Sequence, residues 1–407
     1  MTSILQINIS ANRGSTGKIA DGIGRLVLDA GWESYLAYGG SHRPSSSQLI
    51  QIGGKWNIYC HALQSRLLDN HGLASKSVTR RFINRLKQIQ PDIVHLHNIH
   101  DYYVNYHILF NYLKETHVPV VWTLHDCWPF TGHCAHFDHL RCEKWKTGCN
   151  HCEGLSLYPQ SWLIDRSRRN YDIKKKCFTS IIENLTLVPV SEWLASYTKK
   201  SYLNGANMTV IHNGIDLDVF SPQKNMGLRE KYGLGNRIVI LGVAAPWTPT
   251  KGLQDLLKLR DILPQDRYAI FVVGLSKKQL QEIPEGVTGI MRTDSPQELA
   301  QIYNMADVFF NPTYEDNYPT TNLEALACGT PVLVYDTGGC NEAVTEATGY
   351  VVKQGDLNNA AEIILQMKSN KTTEKMNACR QYAEKHFDEK QAFSKYIELY
   401  KQLLTKK

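Results

Sequence analysis

The stretch "NPTYEDNYPTTNLEALACGTPVLVYDTGG", Asn311 to Gly339, decides the reading of the chain. Within it "TNLEALACG" reads as a helix whose apolar face is Leu323, Leu326 and Ala327. Gly329-Thr330-Pro331 ends that helix and starts a continuously apolar run, and Gly338-Gly339 closes the run with a turn that permits close backbone approach. A helix that steps straight into a buried strand is the repeating half of a parallel sheet covered on both faces. Asp316 and Glu324 stand eight residues apart, with Glu315 directly before the first. A buried carboxylate early in such a helix suits paired hydroxyls, such as those of a ribose. An acidic residue in a first helical turn can also serve only the helix dipole. The sequence of carboxylates, Gly-Thr-Pro and Gly-Gly argues for the ligand.

Working outward, the same alternation fills the chain. Strand-like runs are "ILQINI" (4–9), "SYLAYGG" (34–40), "DIVHLHN" (92–98), "PVVWTLHD" (119–126) and "LTLVPVSE" (185–192), then "RIVILGVAA" (237–245), "YAIFVVG" (268–274), "VFFNPT" (308–313) and "PVLVYDTGG" (331–339). The two series are separated by the Gly-, Asn- and Pro-bearing "IHNGIDLDVFSP" (211–222). The expectation is an α/β protein of two doubly wound, Rossmann-like domains facing across a cleft, with ligands beyond the strand C-termini. The domains are expected at 1–212, carrying a Cys-rich loop at 127–152, and at 223–388, joined by a linker at 213–222. A last helix, 389–407, is expected to pack back on the first domain.

With 407 residues the chain exceeds one ordinary core, and 43% apolar with 21% charged residues describes a globular protein. The net charge of +6 fits acidic small molecules or an anionic membrane surface and is too modest for a dedicated nucleic-acid binder. "MTSILQINIS" lacks a basic start and a long apolar segment, so a reducing cytoplasm is expected.

Other segments carry chemistry. "ISANRGSTGKIADGIGRL" puts Gly14, Ser15, Thr16 and Gly17 at a helix start, where bare amides take anions; Asn12 and Ile19 break the Walker pattern, and a plain tight turn is the alternative. In "AAPWTPTKGLQDLL", Lys251-Gly252 opens a helix, so Lys251 can meet a phosphate beside a helix N-terminus or remain a solvated turn lysine. "DIVHLHNIHDYY" supplies His95, His97 and His100 at a strand end, read as cleft lining and acceptor contacts in preference to metal ligands. "DLD" at 216–218 falls in the linker and reads as structural. "DRSRRNYDIKKKCF" (165–178) is either a solvated helix face or a surface for anionic headgroups or a lipid pyrophosphate.

Taken together, "ED(x7)EALACGTPVL…GG", "NGIDLDVF" and "TKGLQDLL" resemble the group 1 (family 4) retaining glycosyltransferases, which have the two-Rossmann-domain GT-B architecture. The resemblance covers nearly the whole chain and is strongest over 237–352. "VVWTLHDCWPFTGHC" and "LGVAAPW" resemble the bacterial members that build capsular and exopolysaccharides.

The resemblance implies a nucleotide-sugar donor, UDP- or GDP-linked, and no metal required for catalysis. It places Glu324 at the nucleotide ribose, Asp316 at the family's first carboxylate with Glu315 as neighbour, and Lys251 at the phosphates. It adds Asn317, Thr321, Gly338 and Gly339 to the donor side, together with the Gly14–Gly17 loop. The family's Arg five residues before the Lys is Pro246 here, so Arg13, Lys18, Arg292 or backbone amides must neutralise the diphosphate. The "T-x-H-D" strand end places His125, with Asp126 and His97, on the acceptor side. His125, Asp316 and Lys251 are thereby the catalytic candidates. A glycan or polyprenyl-diphosphate-linked acceptor and peripheral contact with an anionic inner membrane follow from the same resemblance.

Cys134, Cys142, Cys149 and Cys152 form C-x7-C-x6-C-x2-C. The last half has knuckle spacing, so a structural zinc is expected, with disulfides or oxidation-prone thiols, or unligated cysteines, as alternatives. Two other functions stay open: a zinc-knuckle binding module on an α/β scaffold, and a GT-B phosphorylase or epimerase.

Overall fold

The structure, a computed structural model, describes residues 1–223, 227–367 and 372–405. The expected second-domain and terminal-helix ranges also include 224–226, 368–371 and 406–407, which lie outside the described residues. The chain divides into two compact units, residues 1–212 with 390–407 and residues 213–389.

The first unit is a seven-stranded sheet in the order β3-β2-β1-β4-β5-β6-β7. Its strands are β1 Ser3–Asn8, β2 Glu33–Tyr38, β3 Gln48–Gln51, β4 Ile93–Leu96, β5 Val120–Leu124, β6 Leu185–Pro189 and β7 Asn207–Met208. The second unit is a six-stranded sheet in the order β10-β9-β8-β11-β12-β13. Its strands are β8 Ile238–Val243, β9 Tyr268–Val273, β10 Val287–Ile290, β11 Val308–Asn311, β12 Val332–Tyr335 and β13 Gly349–Val352. The strand pairings are parallel in both sheets.

The nine apolar runs correspond to β1, β2, β4, β5, β6, β8, β9, β11 and β12; seven of these are buried along their whole length and so lack alternation, while β2 is half-exposed at Glu33 and Tyr35 and β8 at Val243. The strands not expected, β3, β7, β10 and β13, sit at or next to sheet edges and are two to four residues long. Such short, half-exposed strands carry little periodic signal.

The Glu389–Thr405 helix completes the first unit's core. Its Phe393, Tyr396, Ile397 and Tyr400 pack with Ile4, Ile19, Ile23, Val121 and Val188. Burying each such side chain is worth about 1.5–3 kcal/mol. Polar pins add direction: Tyr400 Oη meets His95 Nδ1 at 2.6 Å, and Tyr396 Oη meets Thr123 Oγ1 at 3.0 Å. In the segment after residue 212, Asp216 Oδ1 accepts from the amides of Asp218 and Val219, so "DLD" closes a turn on itself. Among the described residues no helix is long and apolar enough to cross a membrane.

Candidate active site

Each sheet has one point where the strand order reverses, between β1 and β4 and between β8 and β11. In open parallel sheets the crevice beyond the strand C-termini at that point takes ligands. The residues singled out above fall on these ends. The Gly14–Gly17 turn follows β1, His97 follows β4 and His125-Asp126 follows β5. Lys251 follows β8, Glu315 to Asn317 follow β11, and Gly338-Gly339 follow β12.

In the second unit the β8 and β11 loops are laced together. Tyr314 N donates to Thr250 O at 2.7 Å, and Thr313 Oγ1 donates to the same carbonyl at 3.3 Å. Gly252 sits at φ 76°, and a Cβ there would lie 2.0 Å from Pro312 O, so only glycine permits this approach. The lacing brings Lys251 Nζ to 2.6 Å from Asp316 Oδ2 and 3.2 Å from Glu315 O. Burial disfavours the Lys251 ammonium, but the Asp316 carboxylate outweighs it and raises the pKa. Gly338, at φ 55°, lets its backbone touch the Asp316 carbonyl, where a Cβ would stand 1.8 Å away. Asn317 N donates to Asp316 Oδ1 at 2.9 Å, fixing the carboxylate from its other oxygen.

Glu324 is the fifth residue of the Thr320–Ala327 helix and is half-buried, a correction to the buried, early-helix position expected. It therefore lies outside the first turn, and the dipole explanation does not account for it. Tyr303 donates its hydroxyl to Glu324 Oε2 at 3.0 Å, and Thr330 Oγ1 anchors the Tyr303 carbonyl at 2.6 Å. Asn311 Nδ2 donates to Asn322 Oδ1 at 2.9 Å, and Asn322 Nδ2 donates to Cys340 O at 3.2 Å. That network ties the end of β11 to the helix and the Gly-Gly turn. Thr321 is half-buried on the same helix. Tyr303, Asn311 and Asn322 escaped the sequence reading because each resembles an ordinary packed residue.

In the first unit Gly14 and Ser15 are exposed, Thr16 is half-buried and Gly17 is buried. Asn8 Nδ2 holds Ser10 O at 2.8 Å and reaches Thr16 Oγ1 at 3.3 Å, and Ser10 Oγ donates to Arg13 O at 2.7 Å. Arg13, Lys18 and Arg292 are exposed.

His125 lies edge to edge with His97, their ring planes within 18° of parallel and their centroids 5.4 Å apart. Behind them the hydrogen-bond order follows from chemistry. Gln6 Nε2 donates to the Ala20 carbonyl at 2.8 Å, so Gln6 Oε1 faces His97 Nε2 at 3.0 Å and must accept from it. Burial pushes the His97 pKa well down, so the ring is neutral and its Nδ1 is an acceptor. His125 Nε2, at 3.1 Å, then carries the hydrogen, and His125 Nδ1 carries the lone pair. Burial holds the His125 pKa down to about 4 against the opposing pull of Asp126.

The expected acceptor-side set is thus layered. His125 is half-buried, while His97 lies behind it at 1% exposure. Asp126 is engaged inward, pairing with His100 Nε2 at 2.8 Å and accepting from Trp128 N at 2.9 Å. Burial disfavours the His100 imidazolium, yet Asp126 and Asp101 push its pKa up to about 10. Burial likewise works against the Asp126 carboxylate, and His100 overcomes it to hold the pKa at about 2. His95 is fully buried between Tyr400 and Thr123, so its role is packing, a correction to cleft lining.

The zinc expectation is also corrected. Among the described residues no group of three or more His, Cys, Asp or Glu is arranged to hold a metal ion, and the ten cysteines are free thiols. Cys134 Sγ faces Cys152 Sγ at 3.5 Å, while Cys149 Sγ accepts from Gly132 N at 3.1 Å. The loop is held by an aromatic cluster. Trp145, 1% exposed, packs against Phe130, Phe137 and Tyr197 at centroid distances of 5.2–5.4 Å. Below it the buried Lys174 ammonium donates to Trp128 O at 2.8 Å and lies 3.5 Å from the Trp128 ring centroid.

Comparison with known proteins agrees with this architecture. Residues 228–386 match the family described as glycosyl transferases group 1, and residues 29–219 match glycosyltransferase family 4. The chain belongs to the group 1 glycosyltransferases, and its two Rossmann-like units are those of the GT-B fold. A curated relative is WcaC of Escherichia coli K12, named for a glycosyl transferase role in colanic acid biosynthesis. It is 25% identical over 372 residues, covering 87% of this chain and 88% of the relative. Sucrose-phosphate synthase from Thermosynechococcus elongatus aligns with a TM-score of 0.69 at 16% identity, covering 100% of both chains. Anabaena HepE, solved in complex with UDP-glucose, aligns with a TM-score of 0.66 at 13% identity, covering 99% of this chain and 100% of the other. At these identities the structural likeness concerns the fold.

Proposed function

We propose that this glycosyltransferase moves a sugar from a UDP- or GDP-sugar to a lipid-linked glycan acceptor, with retention of configuration, in the assembly of a surface polysaccharide. The observation that carries the proposal is the laced β8–β11 pair, which sets Lys251 against Asp316 at a switch point with Glu324 on the following helix. Similarity to WcaC along most of the chain supports the polysaccharide reading. HepE's complex with UDP-glucose supports a nucleotide-sugar donor by analogy of fold.

In this reading Glu324, oriented by Tyr303, accepts from the ribose hydroxyls. Lys251 stabilises the charge that develops on the departing diphosphate, and in the first unit the amides of the Gly14–Gly17 turn are a separate anion-binding candidate. Asp316 keeps Lys251 charged and placed, and Glu315, Asn317, Thr321, Gly338 and Gly339 shape the donor side. The acceptor attacks the face the diphosphate leaves, through an oxocarbenium-like transition state, and the leaving phosphate takes the acceptor's proton. His125 Nδ1 accepts from a sugar hydroxyl and does not attack carbon. A lipid-linked acceptor places the work in the cytoplasm at the inner face of the membrane.

The test is sugar transfer by purified Lys251→Ala and Glu324→Ala. Each is expected to lose 100-fold or more of kcat/KM, on the order of removing a principal charge-stabilising group, with unchanged circular dichroism. Transfer at the normal rate in either variant overturns the assignment. A thermal-shift screen of UDP- and GDP-sugars identifies the donor, because a ligand of the native state raises apparent stability. Since basic groups and amides meet the diphosphate, chelation is expected to leave transfer unchanged.

A further inference from the structure

In the second unit Asp255 lies in the first turn of the Leu253–Ile262 helix and is 8% exposed. The other buried residues of that helix are Leu253, Leu256 and Leu259. A carboxylate among leucines is costly unless it is hydrogen-bonded. Tyr314 Oη donates to Asp255 Oδ2 at 2.5 Å, and Tyr335 Oη donates to the same oxygen at 3.0 Å. Lys258 Nζ donates to Oδ1 at 3.2 Å from an exposed position. An apolar residue would fill the space without the cost of desolvation. What the carboxylate adds is direction, since it holds two phenols at one point.

Those phenols belong to the two loops that build the donor side. Tyr314 immediately precedes Glu315 and Asp316 beyond the end of β11, and Tyr335 is the last residue of β12, shortly before Gly338. Tyr314 is engaged at every polar group. Its amide donates to Thr250 O at 2.7 Å, its carbonyl accepts from Gln354 Nε2 at 3.3 Å, and its hydroxyl meets Asp255. Gln354 Nε2 also donates at 2.9 Å to Oγ1 of Thr337, the residue before Gly338. One residue thus grips the chain on both sides of Lys251, at Thr250 through its amide and at Asp255 through its hydroxyl. The next two residues of its own loop receive the Lys251 ammonium, at Glu315 O and Asp316 Oδ2. The lysine stem is long and flexible, so where its ammonium stands depends on how the helix start is set against the β11 loop.

We propose that Asp255 is a positioning residue for sugar transfer. Through Tyr314 it sets the start of the Leu253–Ile262 helix against the β11 loop, and so fixes the Lys251 ammonium where the departing diphosphate develops charge. It acts through Lys251 and makes no contact with the donor itself. The proposal rests on the reading of Lys251 given above for its purpose, while the placement of Lys251 is a property of the free chain. An Asp255 that served stability alone would lower the melting temperature when replaced and leave Lys251 where it is.

The test uses the full chain with Asp255→Asn, which keeps the shape and removes the charge, and Tyr314→Phe, which removes one hydroxyl. Tyr314 is half-buried, so its variant tests the link in a folded chain even if Asp255→Asn unfolds. Titration of Lys251 is followed by carbon NMR of isotope-labelled lysine side chains, with the signal assigned by Lys251→Arg. In the wild type the Asp316 carboxylate raises the Lys251 pKa. In both variants it should fall toward the ordinary lysine value of about 10.4. Transfer should lose roughly tenfold or more of kcat/KM, on the order of one charge-assisted hydrogen bond. Asp255→Asn made in the Lys251→Ala background should leave the residual transfer unchanged, because a group that acts through Lys251 has nothing left to act on. An unaltered Lys251 titration in both variants overturns the proposal. So does full transfer in both variants, or a loss in the Lys251→Ala background as large as in the wild type. A shifted titration together with normal transfer by Lys251→Ala sinks the reading of Lys251 in the reaction, and leaves its placement by Asp255 standing.

Discussion

A glutamine in a fully buried strand costs free energy unless both ends of its amide are satisfied. Gln6 meets that demand by holding the Ala20 carbonyl on one side and His97 on the other, and thereby sets the tautomer of His125. Gln6→Leu is expected to lower kcat roughly tenfold, about the worth of one hydrogen bond to a reacting group, with little change in donor KM. Long-range proton–nitrogen spectra should show His125 changing from Nε2–H to mixed tautomers; an unaltered spectrum would refute the lock. The neighbouring His100–Asp126 pair makes a stability prediction with a defined pH window. The imidazolium's contribution is complete below its unfolded pKa of about 6.5 and is lost as pH rises through about 10. The carboxylate's contribution is complete above its unfolded pKa of about 3.9 and is lost as pH falls through about 2. Asp126→Asn should therefore destabilise most between about pH 4 and 6.5, by about 3 kcal/mol for a broken buried pair. Urea unfolding at pH 5 and pH 2 measures this, and equal losses at the two values would contradict it. His97, His125 and Asp126 were legible in the sequence because they end apolar runs. Gln6 was not, because a polar residue inside such a run reads as an interruption.

At the scale of elements, the long central strands and the Gly-Thr-Pro step were legible, since burial on both faces writes an uninterrupted apolar run. The edge strands β3 "QLIQ" and β13 "GYVV" were not, because they are short and half-exposed. The 127–152 loop shows a different failure. Its cysteine spacing drew attention, while the residues that hold it, Phe130, Phe137, Trp145 and Tyr197, are scattered and acquire meaning only when folded. The aromatic cluster makes Trp145 the keystone, so Trp145→Ala should cost about 3–5 kcal/mol, read by chemical denaturation. A strong chelator should leave the melting temperature unchanged, and a fall on chelation would restore the zinc reading. The Gly-Gly turn supplies a contrasting case. Gly338→Ala forces a Cβ onto the Asp316 carbonyl at a positive φ, so its damage should fall on donor KM through Asp316 and Lys251. Unchanged donor KM would show that the turn does not position that pair.

The chain closes its first unit last. Residues 1–212 form a sheet whose core still lacks Phe393, Tyr396, Ile397 and Tyr400, and these arrive only after the second unit, 213–389, has been completed. Four buried side chains at about 1.5–3 kcal/mol each are comparable with the whole stability of a domain, about 5–15 kcal/mol. The helix is therefore a structural member of the first unit and not an appendage. Its polar contacts continue inward, since Tyr400 holds His95 and Tyr396 holds Thr123, on the strands that end at His97 and His125. Tyr396→Ala should destabilise the first unit by about 3–5 kcal/mol, while Tyr400→Phe, which removes one buried hydrogen bond, should cost about 1 kcal/mol. Calorimetry with and without nucleotide-sugar separates the units, because a donor held by the second sheet raises the transition of that unit. In the Tyr396→Ala variant the nucleotide-sensitive transition should stay in place and the other should fall. A loss shared equally by both transitions would mean that the terminal helix stabilises the molecule as a whole.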